Sequence, residues 1–386
     1  MYYLPLQVVL PIAIVAILIK RLKGIDIAYL NTMNFVTCKQ FFDGEHLYGA
    51  HRITYNTVDN AILNLEECTD SGFDSFDFDL LTPGLVDLQT NGFDQWYIAD
   101  ATDEEMLLLD QSLAACGTTS WLATLITDDL NTMKSRIAGL NRLKGLKGLK
   151  GLKGIHLEGP FLGRAPGAHS VDHIIPVDVD FLTSLPASVK LVTLAPEAEN
   201  AVEGINILRK KGIVVSLGHS KPTREEYEQA VKAGASMITH LYNGMSAVSH
   251  STEPGLALQG LMDDRITCGL IADGIHVNSL ALQLAFRSKP AGRICIVSDT
   301  MPADKRVTLK NGAYYLKENG ILAGSGSPIS IGLKNAIHSG VPVLEALKAV
   351  TSTPAKTINL DAGYIRIGEK CPMVGFDTEF NLLRVL

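Results

Sequence analysis

The sequence predicts an α/β protein. The expected architecture is a (β/α)8 barrel over residues 83–354 with a small β-sandwich built from both chain ends, residues 29–82 and 355–386. Three observations predict it. Eight short, mostly apolar runs recur from residue 83 onward, each followed by a helical or loop segment, as expected for parallel strands buried on both faces. Residues 31–82 mix Thr, Tyr, Val and Asp in short stretches that read as hairpins. Residues 363–386 alternate again through Val374, Phe376, Leu382 and Val385.

The eight runs are Leu85–Gln89, Thr118–Leu125, Gly154–Glu158, Lys190–Leu194, Ile213–Gly218, Ala235–Leu241, Cys268–Ala272 and Arg293–Ser298. Helices between them carry start and stop signals. Thr102 and Glu105 form a capping box ahead of Met106, Leu107, Leu109 and Leu113, with Gly117 as the stop; Thr223, Glu226 and Gly234 repeat the pattern. A doubly wound open sheet is the competing arrangement, but its GxGxxG fingerprint is absent after the first strand.

The chain has 386 residues and a formal net charge of −7, from 34 Lys and Arg against 41 Asp and Glu. A mildly acidic surface is a poor clamp for nucleic acid, because phosphate neutralisation needs basic charge. With 46% hydrophobic and 19% charged residues, the composition is that of an ordinary globular protein. The six cysteines (Cys38, Cys68, Cys116, Cys268, Cys295, Cys371) are widely spaced, with no CxxC pair for zinc or dithiol chemistry. Cys116, Cys268 and Cys295 sit in apolar runs and read as reduced core residues of a cytoplasmic protein.

Two segments stand apart. Met1 to Ile19 carries no charge and ends at Lys20, Arg21 and Lys23. As a helix it would be about 28 Å long, near the thickness of a bilayer core. Residues 1–28 are therefore either an anchor that leaves the catalytic part in the cytoplasm or an extension outside the fold. Arg142–Gly154 reads LKG four times over. Glycine at every third position is incompatible with a stable helix, so a basic surface loop is expected, with contact to an anionic membrane surface as the lesser alternative.

In a barrel, function sits where strands end. Here strand one ends in Gln89-Thr90-Asn91, strand three in His156-Leu157-Glu158, strand five in Gly218-His219-Ser220, strand six in Thr239-His240, strand seven in Asp273-Gly274-Ile275-His276 and strand eight in Ser298-Asp299. Burying acids and imidazoles at five of eight strand ends is costly unless a metal or a partner compensates. Glu158, His219 and His240 make a two-His, one-carboxylate set suited to one catalytic zinc, iron or other divalent ion with an open position. Asp299 is left over as a general acid/base.

These strings resemble the N-acetylglucosamine-6-phosphate deacetylases of the amidohydrolase superfamily. The matching segments include PGLVDLQTNG (83–92), HLEGPFL (156–162), GAH (167–169), LAPE (194–197), LGHS (217–220), THLYNGM (239–245), EPG (253–255), GLIADGIHV (269–277), VSDTMPA (297–303) and LAGS (322–325). The resemblance runs from about residue 31 to the C-terminus. It implies an amidohydrolase-type barrel, a homodimer, and one divalent metal ion per subunit on Glu158, His219 and His240. It also implies Asp299 as catalytic acid/base and His169 as the group that polarises the acetyl carbonyl or holds substrate. Gln89, Asn91, Ala168, Asn243, Gly244, His276, Ala323 and Gly324 would contact the sugar substrate. Many superfamily members carry a His-x-His pair where this chain has Gln89-Thr90-Asn91, and these amides are weak ligands beside imidazole. One departure concerns the substrate: the family's phosphate-binding Arg before EPG is replaced by Thr252, and a hydroxyl cannot make that charge-assisted contact. His250 and Lys221 are the nearby candidates to replace it. The implied activity is removal of acetate from N-acetylglucosamine 6-phosphate. The alternatives are a related sugar (N-acetylgalactosamine 6-phosphate or an unphosphorylated one) and an inactive sugar-binding protein.

Overall fold

The computed structural model describes residues 32–68, 75–143 and 145–386. The uncharged run and the whole of the predicted extension, residues 1–28, lie outside the described residues. Among the described residues, no helix is long and apolar enough to cross a membrane.

The first strands are β1 (Met33–Phe42), β2 (Leu47–Tyr48), β3 (His51–Asn56), β4 (Ile62–Glu67) and β5 (Phe78–Pro83). Across Gly84, β5 hands the chain to β6 (Leu85–Thr90), the first barrel strand. The short pair β7 (Gly92–Phe93) and β8 (Trp96–Tyr97) follows. The barrel then continues through β9 (Thr118–Ile126), β10 (Leu152–Glu158), β11 (Val189–Leu194), β12 (Val214–Leu217), β13 (Met237–Ile238), β14 (Thr267–Ile271) and β15 (Ile294–Val297). Neighbouring barrel strands pair in parallel, in sequence order from β6 through β15. All eight apolar runs of the sequence are thus barrel strands. A three-stranded antiparallel sheet follows: β16 (Val307–Lys310), β17 (Ala313–Leu316) and β18 (Leu322–Ser325).

The chain ends meet in one sheet. β19 (Met373–Phe376) and β20 (Leu382–Val385) join β1–β5 in the order β20-β19-β5-β1-β3-β4, with β2 against β1. Val36, Phe41, Ile53, Ile62, Phe78 and Met373 form its own core. Ala355 and Ile358, just past residue 354, pack with Val86, Leu191, Met237 and Cys295 of the barrel strands, so the chain covers the barrel before it reaches β19.

Local chemistry explains the helices. Both capping boxes form: Thr102 and Thr223 accept from the amides of Glu105 and Glu226, whose carboxylates reach back to the cap amides. The first helix (Asp103–Ala115) stops before Gly117 at φ +89 and the second (Arg224–Ala233) at Gly234, φ +124, values that favour glycine.

The LKG repeat is a run of turns, not a helix. The amides of Leu143, Leu146 and Leu149 each reach the carbonyl three residues back, and Gly145 and Gly148 take positive φ. The period of three turns leucines toward the barrel core, while Lys147 and Lys150 stay exposed. The loop ends on the buried Asp110, whose carboxylate accepts from the amides of Lys150 and Gly151 and from Trp121 Nε1. The cysteines are free; four are buried and Cys68 and Cys116 are half-buried.

Candidate active site and metal centre

The C-terminal ends of the strands present the polar groups together. Glu158 is the last residue of β10, and His219, His240 and Asp299 each follow a strand end by two residues. These three have φ of +50, +28 and +50. Non-glycine residues in this region carry strain of about 1–3 kcal/mol each and cluster at functional sites. The turn that produces the strain aims each side chain into the barrel mouth.

Glu158 Oε1 lies 3.0 Å from His219 Nε2 and 3.0 Å from His240 Nε2, and the two nitrogens are 3.1 Å apart. All three residues are buried. His219 Nδ1 faces the Ala165 carbonyl at 3.3 Å. The carbonyl can only accept, so Nδ1 donates to it, which leaves Nε2 as the nitrogen that would give its lone pair to a bound ion. Two imidazole lone-pair positions and a carboxylate oxygen converging at 3 Å are a donor set that fits a divalent cation. Burial alone would raise the Glu158 carboxyl, but the His219 and His240 hydrogen bonds and the imidazole charge hold it well below the usual range. Burial would lower His240, and its bond to Glu158 outweighs this and raises it.

Asp299 stands beside this cluster. Gln89 Nε2 and Asn91 Nδ2 both donate to its Oδ1, at 3.1 and 2.8 Å. Gln89 also donates to Glu158 Oε1 at 3.1 Å, so one amide spans both carboxylates. Among the described residues, none donates to Asp299 Oδ2. Burial, then the Glu158 charge, raises the Asp299 carboxyl to about 7, against the pull of His240, His276 and the Asn91 hydrogen bond. A carboxyl tuned to neutral pH with one free oxygen is suited to proton transfer.

His169 approaches from the loop after β10. Its Nε2 is 3.9 Å from Glu158 Oε1, and its ring packs edge-on against His219 at 4.2 Å. Burial, then the His219 charge, lowers it to about 3, so it is neutral. Its Nδ1 is 2.9 Å from the Thr127 hydroxyl, which is also 3.2 Å from the Glu158 carbonyl oxygen. The loop is secured by Glu197, the acid of the LAPE segment. It accepts from the amides of Arg164 and Lys221, at 3.0 and 2.8 Å, and from the Ser220 hydroxyl. This ties the GAH loop to the turn that carries His219.

Glu158, His169, His219, His240 and Asp299 open onto a cavity of about 300 Å³. Asn91, Ala168, Asn243, Gly244, His276 and Ala323 line it as well. His276 is fixed by Asp273, with Nδ1 to Oδ2 at 2.7 Å. Two expected contacts lie behind the wall. Gln89 works through the two carboxylates. Gly324 lies in close contact: a Cβ would come 3.0 Å from Met301 Cγ and 3.1 Å from the Asp299 carbonyl oxygen. Thr252, His250 and Lys221 do not line the cavity.

Several contributors were not apparent from strand-end reading. Tyr97 and Arg306 line the wall, and Thr127 and Glu197 hold the histidine loops. Of these only Glu197 carried a signal, as the acid of the LAPE segment three residues after the end of β11. Arg306 is the single Lys or Arg among the described lining residues, and Asp304 pairs with it at 2.8 Å.

Comparison with known proteins agrees with this geometry. The amidohydrolase family model matches residues 80–384. An N-acetylglucosamine-6-phosphate deacetylase of Bos taurus is 31% identical over 334 residues, 78% of this chain and 81% of the relative. An N-acetylgalactosamine-6-phosphate deacetylase of Escherichia coli O157:H7 is 30% identical, covering 80% and 86%. The crystal structure of an N-acetylglucosamine-6-phosphate deacetylase from Pasteurella multocida superposes with a TM-score of 0.82 at 27% identity, covering 92% of this chain and 98% of that one. The chain belongs to the amidohydrolase family.

Proposed function

We propose that this chain hydrolyses the acetamide of N-acetylglucosamine 6-phosphate, giving glucosamine 6-phosphate and acetate. The observation that carries the reading is the convergence of Glu158, His219 and His240 at 3.0–3.1 Å beside an acid, Asp299, raised to about 7. Glu158, His219 and His240 would hold one divalent ion, zinc first among those this donor set accepts. When bound, the ion supplies Lewis-acid polarisation and lowers the pKa of water toward about 7.

The chain's own residues do the rest. Asp299 Oδ2 takes a proton from the attacking water as the water oxygen bonds to the acetyl carbon. The same proton passes to the amine nitrogen as the carbon–nitrogen bond breaks, leaving Asp299 ionised for the next cycle. Gln89 and Asn91 keep Oδ1 occupied, so Oδ2 faces the reaction. The buried Asn91 Oδ1 has no partner among the described residues and is suited to accept from a substrate hydroxyl or amide N–H.

His169 polarises the acetyl oxygen if its proton sits on Nε2. The Thr127 hydroxyl has one hydrogen and two acceptors within reach, the Glu158 carbonyl oxygen and His169 Nδ1: given to Nδ1 it leaves Nε2–H free for substrate, and given to the carbonyl it makes Thr127 the acceptor of Nδ1–H. Thr127→Val removes that control. The expected result is a kcat lower by roughly 10- to 100-fold with metal content unchanged, measured by steady-state kinetics and metal analysis on the same sample.

One observation favours a second reading. Thr252 stands at the family Arg position in the sequence, and among the described lining residues the single Lys or Arg, Arg306, is paired with Asp304. A substrate without the phosphate fits this wall. Specificity constants for N-acetylglucosamine and N-acetylgalactosamine, each with and without the 6-phosphate, decide between the two. The first reading predicts at least a ~10²-fold preference for a phosphorylated sugar, the scale of a charge-assisted contact. Equal constants select the second, and no turnover of any of the four sinks both. The resemblance further supports a cytoplasmic homodimer. Light scattering on the purified chain should give twice the monomer mass.

A further inference from the structure

The barrel ladder is open between its end strands, β6 and β15. At the tips, the seam is joined by backbone: the Asp299 amide donates to the Gln89 carbonyl at 2.9 Å and the Asn91 amide to the Thr300 carbonyl at 2.8 Å. Below them side chains join it: the Ser298 hydroxyl lies 3.2 Å from the Gln89 carbonyl oxygen, and Asp87 gathers donors from both strands. Asp87 on β6 is 1% exposed. Its carboxylate accepts from the Ser298 amide at 3.1 Å, the Ser298 hydroxyl, the Gln89 amide at 3.2 Å and the Thr90 hydroxyl at 3.2 Å. None of these donors is a cation. Burial raises this carboxyl to about 6, with those hydrogen bonds opposing.

A buried acid without a charge partner is a costly way to close a seam, since an apolar side chain packs there at lower cost. Only a carboxylate accepts four hydrogen bonds from two strands at once. Its donors are immediate neighbours of the reacting group. Ser298 precedes Asp299, whose φ is +50, and Gln89 donates to both Asp299 and Glu158. We propose that Asp87 is a positioning residue that locks the β6–β15 seam and so aims Asp299 at the substrate. This rests on Asp299 as the acid/base of the proposed reaction.

The test uses the full chain loaded with zinc and compares wild type, Asp87→Asn, Ser298→Ala and the double variant. Displacing a reacting group slightly costs on the order of 100-fold. Asp87→Asn is therefore expected to lower kcat by roughly that factor, with KM within about 2-fold and metal content unchanged. Ser298→Ala, which keeps the carboxylate, should lose less, and the double variant should be no worse than Asp87→Asn alone, because both act through one clamp. Amide hydrogen exchange, read on the peptide spanning residues 293–301, should rise in Asp87→Asn while residues 189–194 stay protected. Wild-type kcat, or a loss that only follows lost metal, in a folded Asp87→Asn protein overturns the proposal, as does unchanged exchange at 293–301. The exchange result stands whether or not the wild type is a deacetylase. Failure of the functional reading shows separately, as an inactive wild type.

Discussion

Asp299→Asn is expected to lower kcat by roughly 10²- to 10⁴-fold, the usual contribution of a positioned acid/base. KM and bound metal stay near wild type. Asparagine can still accept from Gln89 and Asn91 through one oxygen, but it cannot take a proton. The pH profile carries the same signature. Wild-type kcat/KM falls on the acid side, because protonated Asp299 cannot act as base. Burial and the Glu158 charge put that carboxyl at about 7. A bound cation adds an opposite pull, so the acid limb lies at or below that value.

Stability should move the other way. The folded protein favours the protonated Asp299, so its contribution is complete below the ordinary value of 3.8 and is lost as pH rises through about 7. The metal-free Asp299→Asn protein should therefore melt several degrees above metal-free wild type at pH 8. An unchanged or lower melting temperature would mean that the carboxyl is not held up by burial.

His219→Ala and Glu158→Gln are expected to abolish metal retention and activity together. Each removes one of three donors that converge at 3.0–3.1 Å, and two donors do not make a closed site. Wild type should retain roughly one ion per chain and gain thermal stability when metal is added, by about 2.7 kcal/mol at a hundred times the dissociation constant. Both variants should lose that gain. Activity below about one thousandth of wild type is expected, because the site loses the chemistry of the bound ion as well as a donor. A His219→Ala protein that still binds metal stoichiometrically would remove the two-His, one-carboxylate set from the account.

The barrel was legible because buried parallel strands read as apolar runs, and all eight fall on observed strands. The centre was legible for a related reason. Glu158, His219, His240 and Asp299 interrupt or end those runs, where packing alone would not place them. Side chains that act from loops were not legible in the same way. Thr127 and Tyr97 look like ordinary loop and strand residues, and only the fold brings them to His169 and the cavity. The flap made by β16, β17 and β18 has no apolar run to announce it, because one face is exposed and the other lines the pocket through Val307, Leu316, Leu322 and Ala323. Gly324 also lets β18 pass Met301 and the Asp299 backbone, a close approach that the sequence shows only as one more glycine. Asp87 was hidden for the opposite reason: inside an apolar strand it resembles an interruption, and its partner across the seam, Ser298, lies 211 residues away.

Proton NMR of the metal-loaded chain with N-acetylglucosamine 6-phosphate tests metal-dependent deacetylation most directly. The predicted result is loss of the acetamide methyl signal with an equal gain of free acetate, stopped by a chelator and restored by zinc. A protein that holds its metal ion, yet leaves the acetamide signal intact, would contradict the account.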